Sequence, residues 1–145
     1  MKVKECMCGD VCSCTPDTNI SDVAKLMNEN GCGCIPVCDC NNNVVGILTD
    51  RDIILRSVAC GKDNKNTKAS DIMTCKTTCC DCNEDISTVT KNMGQTGIRR
   101  IPVTENGKLV GMLTLGDLAK HHNISCECVG ITFENICKCN NKNAE

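Results

Sequence analysis

Apolar positions along the chain recur with two periods, and the changes between them mark the elements. Ile20, Val23, Ala24 and Met27 fall at helical spacing. Asn19 precedes them as an N-cap, Asp22 stands at the third helical position, and Gly31 supplies a left-handed stop, so a helix is predicted over Ile20 to Asn30. Ahead of it, residues 3–14 read as an extended lead-in, with Val11, Cys12 and Cys14 around Ser13 and a break at Thr15-Pro16-Asp17. Cys34 to Cys40 and Val44 to Leu48 are short apolar runs. The asparagines at 41–43 between them tolerate positive φ, which predicts a β-hairpin. A second helix starts at Thr49, carries Ile53, Ile54, Leu55 and Val58, and stops at Gly61, where the polar stretch 61–70 begins.

The same order then returns. An extended lead spans Thr78 to Cys82, a helix capped by Asp85 starts at Ile86, and two strands flank Asn106-Gly107, a dipeptide suited to a type I′ hairpin turn. A helix follows from Thr114 to about His122, and residues 124–138 have apolar spacing for one more. The tail at 140–145 is expected to fray. The two halves also match residue by residue. IPVCDCNNNVVGILTDRD from Ile35 answers IPVTENGKLVGMLTLGD from Ile101, and Ser21, Val23, Lys25, Met27 and Gly31 fall 66 positions before Ser87, Val89, Lys91, Met93 and Gly97. A repeat of this extent means one supersecondary unit present twice, each copy too small to bury much surface alone. The expected division is a first copy at 1–62, a linker at 63–70, a second copy at 71–123, and a C-terminal helix and tail at 124–145.

Composition narrows the function by exclusion. The formal net charge is −2 with no basic run, and one Phe with no Trp or Tyr leaves no stacking platform for bases, so no nucleic-acid partner is expected. No stretch approaches the ~20 apolar residues of a membrane span, and the N-terminus has no apolar signal region, so a cytoplasmic protein without membrane partners is expected. The chain has 17 cysteines, and 14 of them stand in seven Cys-x-Cys pairs: 6/8, 12/14, 32/34, 38/40, 80/82, 126/128 and 137/139. Residues two apart share a face of a strand, so such pairs could offer two thiolates to Zn²⁺ or Cu⁺. The competing reading makes cysteine a small apolar filler, with thiols free in a reducing compartment and no metal held. His121 and His122 read as helix C-terminal residues, with no catalytic arrangement around them.

Thr49 with Asp52, and Thr114 with Asp117, have capping-box spacing. Each pair also follows a Gly-apolar-Leu strand and a hairpin opened by Ile-Pro-Val. With GILTDRD and GMLTLGD as its most specific strings, the chain over residues 3–122 resembles a tandem pair of cystathionine beta-synthase (CBS) domains, a Bateman module. The resemblance implies an α/β (α+β) fold of two pseudo-symmetric β-α-β-β-α repeats packed sheet to sheet, with inter-repeat clefts for adenosine-containing ligands. Asp52 and Asp117 are then the ribose candidates, and Thr49 and Thr114 the phosphate candidates, as a carboxylate can accept from both hydroxyls of a cis-diol. Arg99 and Arg100 resemble the basic pair that contacts phosphate in the gamma subunit of AMP-activated protein kinase. Arg51 lies within the first motif, and Ser13 matches the adenine-side position of the lead-in, where the second copy has Cys79. Ile35 and Pro36, with Ile101 and Pro102, are expected to complete apolar, backbone-lined pockets. The function implied is a stand-alone regulatory module sensing an AMP-, ADP- or ATP-like ligand, non-enzymatic, with no obligatory cofactor, homodimeric and acting on an unknown protein partner. The alternative is a thiol-rich metal or redox protein on the same scaffold.

Overall fold

The computed structural model describes residues 1–142, and the expected fraying at 143–145 lies outside them. The chain forms two compact units. One comprises Cys12–Thr77 with Gly107–Leu109, and contains most of the first repeat. The other comprises Met1–Val11, Thr78–Asn106 and the chain from Val110 onward.

In the first-repeat unit, α1 (Ile20–Asn30) begins as its cap predicts, with Asn19 Oδ1 accepting from the Asp22 amide at 2.8 Å. Gly31 closes it at φ 59°, and the Cys32 amide reaches back to Met27 O at 3.0 Å. Ile20, Val23 and Met27 are buried; Ala24, expected in the stripe, is exposed, and Leu26 packs at its margin instead. β1 (Cys34–Cys38) is buried throughout and pairs antiparallel with β2 (Val44–Thr49), Ile35 opposite Leu48 and Val37 opposite Gly46. Asp39 organises the hairpin turn. Its Oδ1 accepts from the Asn41 and Asn43 amides at 2.9 Å each, Asn42 takes φ 62°, and the bonds from Asn43 hold the Asp39 carboxyl below the usual carboxylate range. Only Cys14 of the lead-in joins the sheet, alongside Val37 in parallel.

At the other edge of β2, Ile47 exchanges both backbone bonds with Thr74. This crossing explains the glycine that both hairpins carry. A Cβ on Gly46 would stand 2.6 Å from Met73 Sδ and 3.1 Å from Thr74 O. α2 (Asp50–Ile53) is one turn, after which Ile54–Val58 widen into a π-helical turn and leave Ile54, Leu55 and Val58 in solvent. The expected linker is partly ordered, since α3 (Ala69–Ile72) buries Ala69 and Ile72 in this unit's core.

The second-repeat unit repeats the plan. The expected extended lead at residues 3–14 instead begins with a 3₁₀ turn, Val3–Glu5. Cys8 then pairs with Met112, and a Cβ on Gly111 would stand 2.7 Å from Cys8 O. β3 (Cys80–Asp81) runs parallel to Val103 and Thr104, giving a sheet of order β3-β4-β5 with β4 (Arg100–Glu105) and β5 (Lys108–Thr114). Asn106 and Gly107 take φ 52° and 80°, as a type I′ turn requires. α4 (Ile86–Thr96) is capped by Asp85 and buries Ile86, Val89 and Met93. α5 (Leu115–Lys120) is short, and α6 (Cys126–Lys142) runs past Asn140 into the tail expected to fray. α6 packs on α4 and buries Thr132 and Ile136, and close approach is possible because Gly94 and Gly97 present no side chain to Asn135, Cys139 and Asn140. No described helix is long and apolar enough to cross a membrane.

Candidate functional site

Both Thr-x-x-Asp motifs form complete capping boxes where a β-strand passes into a short helix. In the second-repeat unit the Asp117 amide donates to Thr114 Oγ1 at 3.1 Å. Asp117 Oδ2 accepts from the Thr114 amide at 2.8 Å and from its hydroxyl at 2.6 Å. The box fixes the carboxylate through Oδ2 and leaves Oδ1 outside it. Leu115 N donates to Arg99 O at 3.0 Å, which sets Arg99 and Arg100, both exposed, beside this motif. The Arg99 guanidinium lies 5.8 Å from the centre of the Phe133 ring on α6. Beneath the motif the Cys6 thiol donates to Asp117 O at 3.7 Å, and burial, reinforced by the Asp117 charge, raises its pKa.

In the first-repeat unit the Asp52 amide donates to Thr49 Oγ1 at 3.1 Å, and Asp52 Oδ2 accepts from the Thr49 amide at 2.9 Å. The backbone clamp recurs, with Asp50 N donating to Gly33 O at 3.0 Å. The side chains there differ in sign. Gly33 stands where the second copy has Arg99, and Asp50 where it has Leu115. A Cβ on residue 33 would lie 2.7 Å from Asp50 Oδ2, so the first copy has an acid packed against a glycine where the second has a base. Arg51 is exposed, its amide donating to Asp50 Oδ1 at 2.8 Å.

One residue not expected from the sequence joins this site. Arg56 Nε lies 3.7 Å from Asp52 Oδ1, while Arg56 Nη1 donates to Ile72 O at 3.0 Å and to Thr74 Oγ1 at 3.3 Å. Its position four residues after Asp52 on a helix was the available signal. Ser13 is exposed and bonds to the Cys38 thiol, which burial raises and that bond partly lowers. Cys79, its counterpart, is half-buried. Ile35 and Ile101, expected as pocket lining, are core side chains at 0 % and 1 % exposure, and Pro36 and Pro102 are buried too. A ligand would meet these four through their backbone.

A groove of about 820 Å³ runs between α4 and α6, lined by Thr90, Lys91, Gln95, Ser125 and Lys138 among others, and holds none of the sequence-predicted site residues. Among the described residues no group of three or more His, Cys, Asp or Glu side chains is arranged to hold a metal ion. Six cysteines are buried, six half-buried and five exposed, so the apolar-filler reading fits the first group and not the whole set.

Two copies of one sheet-and-helix unit, each closed by a Thr-x-x-Asp capping box after a Gly-containing strand, define a paired CBS-domain protein. The CBS domain pattern matches residues 3–59 and 69–123, and the chain belongs to that family. It is 40% identical over 119 residues to the uncharacterised protein YlbB of Bacillus subtilis, covering 81% of this chain and 80% of the relative. To the CBS domain-containing protein YhcV of the same organism it is 36% identical over 134 residues, covering 92% and 94%. Among solved structures it resembles Hypoxic Response Protein I with two coordinated zinc ions, at TM-score 0.77 and 28% identity, covering 83% of this chain and 98% of that one.

Proposed function

We propose that this chain is a regulatory CBS pair that binds adenosine-containing ligands of the AMP, ADP or ATP type at its two Thr-x-x-Asp motifs, and signals their presence to a protein partner through a homodimer. The observation that carries the reading is the duplicated construction: in both units a capping box fixes one carboxylate oxygen, and the same amide-to-carbonyl bond fixes the strand beside it. A carboxylate positioned in advance accepts from ribose hydroxyls with little further loss of side-chain freedom. The dimer is supported by Ile54, Leu55 and Val58 on the π-helical turn and by Ile131 and Phe133 on α6, large apolar side chains that are each between 46 % and 56 % exposed. Thiol-bound metal is the competing reading, and it draws on the two zinc ions of Hypoxic Response Protein I.

Native mass spectrometry with and without added AMP reads mass, ligand and metal together. The expected species is a dimer that takes up AMP, with uptake reduced in Asp52→Ala and again in the double variant with Asp117→Ala. A monomer that gains no AMP, or retained zinc in protein purified without nucleotide, overturns the reading.

A further inference from the structure

The functional reading leaves the accessible cysteines without a role, and two of them meet across the fold of the first-repeat unit. Cys12 Sγ and Cys32 Sγ stand 3.9 Å apart although 20 residues separate them in sequence. Both residues are half-buried, unlike the buried Cys14 and Cys34 that follow them in their Cys-x-Cys pairs. Backbone bonds hold Cys32 itself and, on the other side, the chain two residues past Cys12. Cys32 follows the left-handed Gly31 cap and donates to Met27 O at 3.0 Å, while Cys12 leads into Cys14, whose amide donates to Pro36 O at 3.1 Å and whose carbonyl accepts from Cys38 N at 2.8 Å. The second repeat has Thr78 and Ile98 at the corresponding positions, so the pair belongs to the first copy alone.

We propose that Cys12 and Cys32 are a reversible dithiol–disulfide site that ties the lead-in before α1 to the loop between α1 and β1. The two thiols are already in contact, and forming the bond brings the sulfurs from 3.9 Å to the roughly 2 Å of a disulfide. The neighbouring core thiols are poor competitors. Burial pushes Cys14 up to about 11, reinforced by the nearby Cys38 and Cys12 thiols, and burial raises Cys38 too, so neither supplies much thiolate at neutral pH. With a low-molecular-weight disulfide as oxidant, one cysteine thiolate attacks a sulfur of that disulfide and expels one thiolate, forming a mixed disulfide. The other cysteine thiolate then attacks the protein sulfur of the mixed disulfide and expels the second thiolate. In balance, the protein pair gives up two electrons and two protons, and the oxidant leaves as two thiols. The site operates whether or not the Thr-x-x-Asp motifs bind a nucleotide, because it depends on the sulfur pair alone.

The test is equilibration with defined ratios of oxidised to reduced glutathione, acid quench, blocking of free thiols and tryptic peptide mapping. Cys12 lies in the peptide spanning residues 5–25 and Cys32 in that spanning 26–51, so the bond appears as a cross-link between them, located by fragmentation. The expected result is a Cys12–Cys32 bond in more than half of the molecules at a ratio where the exposed Cys60 and Cys75 are still mostly reduced. Cys12→Ser and Cys32→Ser should each remove the cross-link, and Cys40→Ser should leave its yield unchanged. Reduced Cys12→Ser should melt within a degree or two of reduced wild type, so that loss of the bond is not loss of fold. The proposal is overturned if the cross-link maps to other cysteines, if it survives Cys12→Ser, or if Cys12 and Cys32 end only as separate glutathione adducts.

Discussion

Replacing Arg99 and Arg100 together by alanine separates the two candidate sites by charge. A charge-assisted hydrogen bond contributes about 1.5–3 kcal/mol, and exposure of both side chains favours the low end. Arg99 must first leave Phe133, which costs about 0.5–1 kcal/mol at an exposed cation–π pair. The net loss for the double variant is therefore about 2 kcal/mol, or roughly thirtyfold in affinity for a phosphorylated ligand. Adenosine, with no phosphate, should bind the variant within about twofold of wild type. The first-repeat site gives the reverse perturbation. Asp50 packs against Gly33 where the other copy has Leu115 and Arg99, so Asp50→Asn removes a like charge and should tighten AMP there by about 1 kcal/mol, roughly fivefold. Calorimetric titration of AMP and adenosine into wild type and both variants reads all three quantities. Equal losses for AMP and adenosine in the arginine variant, or no loss of AMP affinity, would refute the assignment of phosphate to the Asp117 motif.

The remaining expectations concern stability. Gly31 and Gly97 end equivalent helices at φ 59° and 72°, so alanine costs about 1–2 kcal/mol at either from the left-handed backbone alone. At Gly97 the new methyl would also stand 2.7 Å from Asn140 Oδ1 and 3.1 Å from Cys139 Sγ, whereas Gly31 has open space. Gly97→Ala should therefore cost up to about 1 kcal/mol more in urea unfolding, and an equal cost at the two positions would mean that the Asn140 and Cys139 side chains turn aside freely. Thr114→Ala should cost about 1–2 kcal/mol and exceed Thr49→Ala, because the Thr114 hydroxyl both accepts from the Asp117 amide and donates to the Asp117 carboxylate; urea midpoints of the two variants, with serine replacements restoring most of each loss, check this.

Local chemistry made much of this structure readable from the chain. Asn19, Thr49, Asp85 and Thr114 cap the helices predicted from them, because a cap is settled within four residues and owes little to distant packing. Long-range pairing was not readable in the same way. Residues 1–11 have local patterns that suit an extended lead for their own repeat, yet Val3 bonds to Glu84 and Cys8 to Met112. The run Ile53-Ile54-Leu55 gave the helix its apolar weight, but only Ile53 is buried, since the chain widens into a π turn directly after it. Asn140 and Asn141 are weak helix formers, and they stay helical where Cys139 and Asn140 pack over Gly97, so tertiary contact outweighs propensity. Arg56 was overlooked because its bonds to Ile72 and Thr74 depend on where the chain returns 16 and 18 residues later.

The Cys-x-Cys pairs show how far a period-two argument carries. It requires both residues to lie in a continuous strand, and the 80/82 pair comes nearest: β3 ends at Asp81, but the Cys82 amide still bonds to Thr104 O at 2.9 Å and both cysteines are buried. After Cys38 the chain leaves β1 for the Asp39 turn, so Cys38 is buried and Cys40 exposed. Cys126 and Cys128, like Cys137 and Cys139, lie on α6, and residues two apart on a helix do not face each other. The spacing therefore does not make a chelating unit of two thiolates in these pairs. What brings sulfurs together is the tertiary fold, which sets Cys12 against Cys32 from two different Cys-x-Cys pairs and leaves the partner of each, Cys14 and Cys34, buried. Each of these two pairs thus divides, one cysteine filling the core as a small apolar side chain and the other half-buried with its sulfur against that of the other pair.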